Sequence, residues 1–139
     1  MAATKSNNRQ SDLRALIDEL RETGDLREIS GADWNLEIGA VTEILGEQEG
    51  DALLFDDIPG YPKGYRVFSN VFRTHARAAA ALGLSTELSG VKLLNAWRER
   101  LRTLTPLAPT IVKDGPVFEN RAEGADVDLN HFPAPIWHE

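Results

Sequence analysis

The sequence predicts an α+β fold of mixed helices and short strands, and three observations predict it. Apolar residues recur at helical spacing in several stretches that are closed by glycine or proline. Ala52 to Phe55 is an uninterrupted apolar run of strand length. Asp114-Gly115, set between Ile111–Lys113 and Val117–Glu119, is a hairpin signal. Helices and strands interleave, but the final pair of strands reads as a hairpin. That favours a mixed layer over a regular doubly wound sheet.

Each element has its own signal. Residues 1–10 are polar, carry no apolar stripe and read as a mobile tail. Ser11 can cap a first helix over 12–23, whose stripe is Leu13, Leu16, Ile17 and Leu20, and Gly24 supplies the left-handed residue that ends it. Leu26 to Ile29 reads as a short strand. Trp34, Ile38, Val41 and Leu45 draw the stripe of a second helix, with Asp33 or Asn35 as its cap. Gly46 to Asp51 is a polar break. Ala52 to Phe55 reads as a strand buried on both faces, Asp56 to Gly64 as a loop holding Pro59, Gly60, Pro62 and Gly64, and Arg66 to Asn70 as the returning strand. Thr74 caps an alanine-rich helix from His75 to Leu82, closed by Gly83. A fourth helix, Ser89 to Arg102, carries Val91, Leu94, Trp97 and Leu101 on one face and stops before Pro106 and Pro109. Residues 11–127 thus read as one α+β domain, and 128–139, with Pro133 and Pro135, as an extended connector.

Bulk composition narrows the function. The chain has 139 residues, enough for one domain with a real core, and a formal net charge of −7. That sign repels phosphate backbones and argues against a nucleic-acid partner. Arg98, Arg100 and Arg102 cluster beside Glu99, which reads as a solvated helix face. The absence of cysteine excludes disulfides, thiolate zinc sites and a cysteine nucleophile in this segment. No stretch approaches the ~20 apolar residues of a membrane span, and Lys5 and Arg9 are followed by no apolar run of a secretory signal. The expectation is a cytoplasmic protein with no membrane partner.

No catalytic, cofactor-binding or metal-binding residue emerges from the motifs. His75, at a helix start, reads as a surface residue, and His131 and His138 have no ligand partner at a recognisable spacing. His138-Glu139 matches only the first two letters of a zinc H-E-x-x-H motif. The acid pairs Asp56–Asp57, Glu47–Glu49 and Glu119–Glu123 read as solvated, with nothing to raise one pKa for acid–base work. No serine stands in a nucleophile elbow, and the prolines of Gly60–Gly64 stiffen that loop and remove amide donors, so it is no phosphate cradle. Trp34 and Trp97 read as core. Trp137 differs, because it joins Phe132 and Ile136 as apolar side chains in a connector with little core to cover. This proline-stiffened, aromatic run leads to the expectation that the polypeptide continues into a further domain.

The order of segments carries a resemblance. Asp12-Leu13-Arg14-Ala15-Leu16 and Gly24-Asp25-Leu26 are followed by Leu36 to Glu43, by Ala52-Leu53-Leu54-Phe55-Asp56-Asp57-Ile58-Pro59-Gly60-Tyr61, by Ser69 to Thr74 and by Ala79 to Gly83. Val112 to Val117 and Val127-Asp128-Leu129-Asn130-His131-Phe132-Pro133-Ala134-Pro135 close the series. From Asp12 to Glu139 the chain resembles the N-terminal domain of the UbiD family of decarboxylases.

The resemblance implies a reversible, non-oxidative decarboxylation of an aromatic or α,β-unsaturated carboxylic acid. It implies prenylated FMN made by a separate flavin prenyltransferase, with manganese (Mn2+) and potassium (K+) ions at the cofactor phosphate. A glutamate–arginine–glutamate set moves protons in that family, a split-barrel domain holds the flavin, and a C-terminal domain builds homo-oligomers. Those residues follow the family's N-terminal domain, so none is assigned here; Glu37, Glu43 and Arg73 do not stand in the catalytic motif. The segment's expected role is to brace the flavin domain through Phe132, Ile136 and Trp137. A stand-alone binding module and an assembly subunit for a separately encoded catalytic chain are the alternatives.

Overall fold

The computed structural model describes residues 12–48 and 50–138, so the tail expected at 1–10 lies outside the described residues. The element order is α1 (Leu13–Thr23), β1 (Leu26–Ser30), α2 (Glu37–Glu47), β2 (Ala52–Asp56), β3 (Val67–Ser69), α3 (His75–Ala81) and α4 (Gly90–Thr103), followed by single 3-10 turns at Pro116–Phe118, Gly124–Asp126 and Leu129–His131.

The apolar run of β2 makes it the centre of a three-stranded sheet in the order β1-β2-β3. β1 lies parallel to it, Leu26 opposite Ala52 through Ser30 opposite Asp56, and β3 antiparallel, Leu53 opposite Ser69 through Phe55 opposite Val67. Side chains alternate across a strand, so β2 feeds two cores. Ala52 packs with Leu16 and Leu20 of α1, beside Leu26, Phe68 and Val71. Leu53 and Phe55 pack on the other face with Ile38 of α2, Ala32 and Ile58, beside Trp34, Val41 and Leu45. The burial of β2 on both faces and the stripe of α2 are therefore seen as expected, whereas the stripe of α1 is buried only at Leu16, Ile17 and Leu20, and Leu13, on the first turn, is exposed.

α2 is also held by polar hooks. The Thr42 hydroxyl donates to the Ile38 carbonyl and lies 3.0 Å from the Ser69 hydroxyl. Asn70 Nδ2 donates to the Thr42 carbonyl and Arg73 Nε to the Gly46 carbonyl. Arg21 donates to Glu28 and ties α1 to β1, and this hydrogen bond holds the Glu28 carboxyl below its ordinary pKa against a smaller opposing effect of desolvation.

Helix starts differ from expectation in two places. Ser11 lies outside the described residues, and Asp12 is the cap of α1, its Oδ1 accepting the Ala15 N–H at 3.0 Å. Asp12→Ala is expected to cost about 1 kcal/mol of stability, the usual loss of an N-cap acceptor, read as a lowered urea midpoint at unchanged slope. α2 is capped by neither Asp33 nor Asn35. Leu36 stands at the cap with φ +69° and offers no side-chain acceptor. The carboxylate of Asp33 is already engaged by the Asn35 N–H at 2.8 Å, while Glu37 reaches back to the Asp33 N–H at 2.8 Å.

α3 begins as expected, with Thr74 Oγ1 accepting the Arg77 N–H. α4 forms where its stripe placed it, but that stripe does not face a core. Val91, Leu94 and Leu101 are exposed, Trp97 is half-buried, and Leu93 is the buried residue of the helix.

The hairpin around Asp114-Gly115 is absent. A tight turn of that type needs positive φ at both central residues, whereas Gly115 is extended at φ −179° and Pro116, which cannot donate to a ladder, opens a 3-10 turn. The antiparallel pair of the fold is β2–β3 instead. The connector is not uniformly extended either, since Leu129–His131 is a 3-10 turn capped by Asp128. The N–H and side-chain amide of Asn130 both donate to Asp128 and hold its carboxyl below the ordinary range.

Candidate functional site

The segment that sequence reasoning singled out, 132–138, returns to the domain and docks on the start of α2. The reason is local to residues 33–39. Positive φ at Leu36 turns the chain into α2, and the carbonyl of Trp34 and the N–H of Leu36 stay free of the helix ladder. Ile136 satisfies both groups. Its N–H donates to the Trp34 carbonyl and its carbonyl accepts from the Leu36 N–H, each at 3.0 Å, in a parallel bridge that pairs Asn35 with Ile136.

Gly39, buried on the first turn of α2, makes this approach possible. A Cβ there would stand 2.8 Å from Trp137 Cα and 3.1 Å from the Ile136 carbonyl oxygen. Phe132 meets Tyr65 edge to face, with ring centroids 5.8 Å apart and planes at 68°. His138 Nε2 lies 3.4 Å from Glu43 Oε1 on α2.

Each of the three connector residues therefore touches this domain on one side and is open on the other. Phe132 is 60%, Ile136 41% and Trp137 42% exposed. Besides the contact with a further domain expected of these residues, the backbone of Ile136 returns the chain to the start of α2. Their outward faces are what remains for a partner. Sequence reasoning missed Leu36 and Gly39, whose conformations show no periodic signal. Gly39, a glycine inside the amphipathic stretch of the second helix, was the available hint of a close backbone approach.

The remaining candidates are dispersed. His75 is exposed at the start of α3, and His131 faces Asp128 at 3.7 Å in an exposed turn. Asp56 and Asp57 form an open turn in which Asp56 accepts the Asp57 N–H and Ser30 donates to Asp57. Glu47, Glu119 and Glu123 are exposed, and Glu49 lies outside the described residues, as does Glu139. On α4, Arg102 pairs with Glu99, and Arg100 donates to the Gly83 carbonyl at 2.9 Å. Among the described residues, no group of three or more His, Cys, Asp or Glu converges on a point where a metal could be held. No helix among them is long and apolar enough to cross a membrane.

Among the clefts on the surface of the described residues, two are lined in part by residues already named. One of about 390 Å³ lies between the first turn of α1 and the β2–β3 side of the sheet, with Leu54, Ile17 and Phe68 on its walls and Arg14 and Arg66 at its rim. The other, about 350 Å³, runs between Tyr65 and the turns at 120–132. Neither of these two clefts pairs a nucleophile with a base or brings two carboxylates together in a buried place.

Residues that were invisible in the sequence do form one buried polar site. Arg77 of α3 is 2% exposed. Its Nη1 donates to Asp25 Oδ1 at 2.7 Å and its Nη2 to the Gly50 carbonyl at 2.8 Å. One guanidinium thus joins α3, the α1–β1 turn and the loop before β2.

Comparison with known proteins places this architecture. Residues 17–97 match the family described as the 3-octaprenyl-4-hydroxybenzoate carboxy-lyase N-terminal domain, UbiD_N. A pyrrole-2-carboxylic acid decarboxylase of Pseudomonas aeruginosa is 38% identical over 143 residues, covering 96% of this chain and 28% of that protein. The vanillic acid decarboxylase of Sedimentibacter hydroxybenzoicus in closed form superposes with a TM-score of 0.64 at 26% identity, over 80% of this chain and 24% of that one. Its open form superposes with a TM-score of 0.57 over 67% of this chain and 20% of that one. The chain thus spans under a third of the length of the relatives it matches. With the family match covering more than half of the chain and continuous with the parallel-then-antiparallel sheet around β2, this chain belongs to the UbiD family, as its N-terminal domain.

Proposed function

We propose that the chain is the N-terminal structural domain of a longer, cytoplasmic UbiD-type carboxy-lyase that catalyses reversible, non-oxidative decarboxylation of an aromatic or α,β-unsaturated carboxylic acid. The observation that carries this reading is the 38% identity to a pyrrole-2-carboxylic acid decarboxylase across 96% of the chain. The domain boundaries follow the same reading, with 11–127 as the α+β domain and 128–139 leading into a flavin-binding domain.

Family membership implies prenylated FMN, supplied by a flavin prenyltransferase, with Mn2+ and K+ at its phosphate. The described residues do not fit that group, for they converge no set of metal-ligating side chains. On this reading its chemistry is supplied by the rest of the longer polypeptide. What this chain contributes is rigidity. The two cores around β2 fix α2, α2 fixes the bridge at Ile136, and the outward faces of Phe132, Ile136 and Trp137 meet the flavin domain. Assembly as a homo-oligomer is part of the same reading.

The test begins with the intact mass of the native polypeptide. A mass several times 15.4 kDa is expected. The full-length protein, produced together with a flavin prenyltransferase, should then carry a modified flavin and release CO2 from an aromatic or α,β-unsaturated acid. A native mass of 15.4 kDa, or a long chain that binds no flavin and releases no CO2, would sink the proposal.

A further inference from the structure

Residues 101–132 bury almost nothing. Every one of them except Gly115 is exposed, and they include Leu101, Leu107, Ile111, Val117, Phe118 and Leu129. Leu107 is 93% and Ile111 96% exposed. Single exposed apolar residues are normal on a protein surface, but a sustained series in one segment marks a contact region. The series continues the outward stripe of α4, where Leu94 is also exposed.

The segment is nonetheless shaped and pinned. Its 3-10 turns are closed by their own bonds, Phe118 N–H to the Gly115 carbonyl, Asp126 N–H to the Glu123 carbonyl and His131 N–H to the Asp128 carbonyl. At one end Arg100 donates to the Gly83 carbonyl behind α3. At the other, Ile136 is bridged to Asn35. It is a loop anchored at both ends, and apart from Phe132, which meets Tyr65, its large apolar side chains Leu107, Ile111 and Val117 stand exposed.

We infer that α4 and residues 104–132 form a clasp that seats against an apolar surface of the remaining part of the same polypeptide. The inference rests on the reading of this chain as one domain of a longer protein. It goes beyond that reading by assigning the main interdomain contact to Leu94, Leu101, Leu107, Ile111 and Val117 and by making Ile136 an anchor. Two observations favour this occupant over a second copy. The relative that aligns with 96% of this chain has most of its length outside the alignment, so a large body is available in the same molecule. A body covalently joined to the domain is also presented at millimolar effective concentration, whereas a second copy pays the full entropy of association.

Hydroxyl-radical footprinting of the full-length wild-type polypeptide tests the clasp directly, because it reads side-chain accessibility without flavin or substrate. Leu107 and Ile111 are expected to label roughly fivefold more slowly than in the denatured chain, as buried interface-core residues do. Labelling at the denatured-chain rate would overturn the inference. Protection that disappears on dilution to a monomer would overturn it in favour of a second copy, and a native chain of 15.4 kDa would remove the occupant altogether. In Leu107→Asp/Ile111→Asp the neighbouring Val117 should regain denatured-chain labelling; retained protection there would also count against the clasp. A full-length protein that is protected at these positions yet binds no modified flavin would keep the clasp and lose the carboxy-lyase reading.

Discussion

Removing the carboxylate of Asp25 is expected to destabilise the domain by about 3 kcal/mol, more than removing the arginine that it faces. Arg77 is 2% exposed, whereas the Asp25 side chain is 38% exposed. In Asp25→Ala the guanidinium stays where it is, out of water, with the Gly50 carbonyl as its remaining acceptor. An uncompensated buried charge is the expensive outcome. In Arg77→Met the roles reverse. Asp25 can rehydrate, the methionine fills much of the vacated volume, and the Gly50 carbonyl is the group left unsatisfied, for a cost of about 1–2 kcal/mol. The measurement is urea unfolding of both single variants and of the double variant Asp25→Ala/Arg77→Met. The double variant should recover most of what D25A alone loses, because the stranded charge is gone. If Arg77→Met proves the costlier substitution, or if the two losses simply add, the guanidinium is not held as a buried ion pair.

The parts of the fold legible in the sequence are those that bury apolar surface with a period. β2 announces itself because both of its faces are covered, and a strand so placed has no reason to alternate. α1 does so because Leu16, Ile17 and Leu20 form one stripe and Gly24 closes it at φ +73°. α4 was legible as a helix but not in its surroundings. The stripe Val91, Leu94 and Leu101 is amphipathic whatever it faces, and the pattern contains no information on whether the covering surface lies in this domain. The hairpin expected at Asp114-Gly115 failed for a related reason. Two residues suited to a turn make one only if the flanking segments can pair, and Pro116 prevents that on one side.

The buried ion pair and the docking of 136–138 were not legible. Arg77 sits in the alanine-rich run of α3, where an arginine normally reaches solvent, and its partners are 52 residues away at Asp25 and 27 away at Gly50. Nothing in local spacing links such positions. The same holds for Ile136, whose bridge to Asn35 depends on the backbone turn at Leu36. Phe132, Ile136 and Trp137 could be picked out as apolar residues in a connector, yet the sequence does not say which side of each is covered. The backbone of that segment is spoken for by α2, and only the exposed portions of the side chains are available to another domain.

Gly39→Val should detach the 136–138 segment while leaving the sheet in place. A Cβ at position 39 falls 2.8 Å from Trp137 Cα, closer than two carbon atoms can approach, and 3.1 Å from the Ile136 carbonyl oxygen. Both obstacles are backbone, so no rotamer change relieves the clash. α2 cannot retreat either, since Ile38 is fully buried against Leu53 and Phe55 and Thr42 is tied to Ser69. The segment is the weaker side, because two backbone bonds and the His138–Glu43 contact are what hold it here. Detachment loses both bonds at Ile136 and the packing beneath Trp137, for a combined loss of about 2–3 kcal/mol, with overpacking and two forfeited hydrogen bonds as its sources. The alanine variant introduces the same Cβ with less bulk and should show the same effect in smaller degree. Trp137 fluorescence should move to longer wavelength as the indole becomes fully hydrated, and amide exchange at Leu36 and Ile136 should accelerate while exchange in β2 is unchanged. Faster exchange in β2 as well would mean that the substitution disrupts α2 rather than releasing the segment. An unchanged spectrum and unchanged exchange at Ile136 would mean that the close approach at Gly39 is not what seats it. Because the segment is the route by which the polypeptide leaves this domain in the proposed full-length enzyme, its release there should loosen the clasp as well. Full-length Gly39→Val is therefore expected to regain labelling at Leu107 and Ile111 without any substitution in the clasp itself.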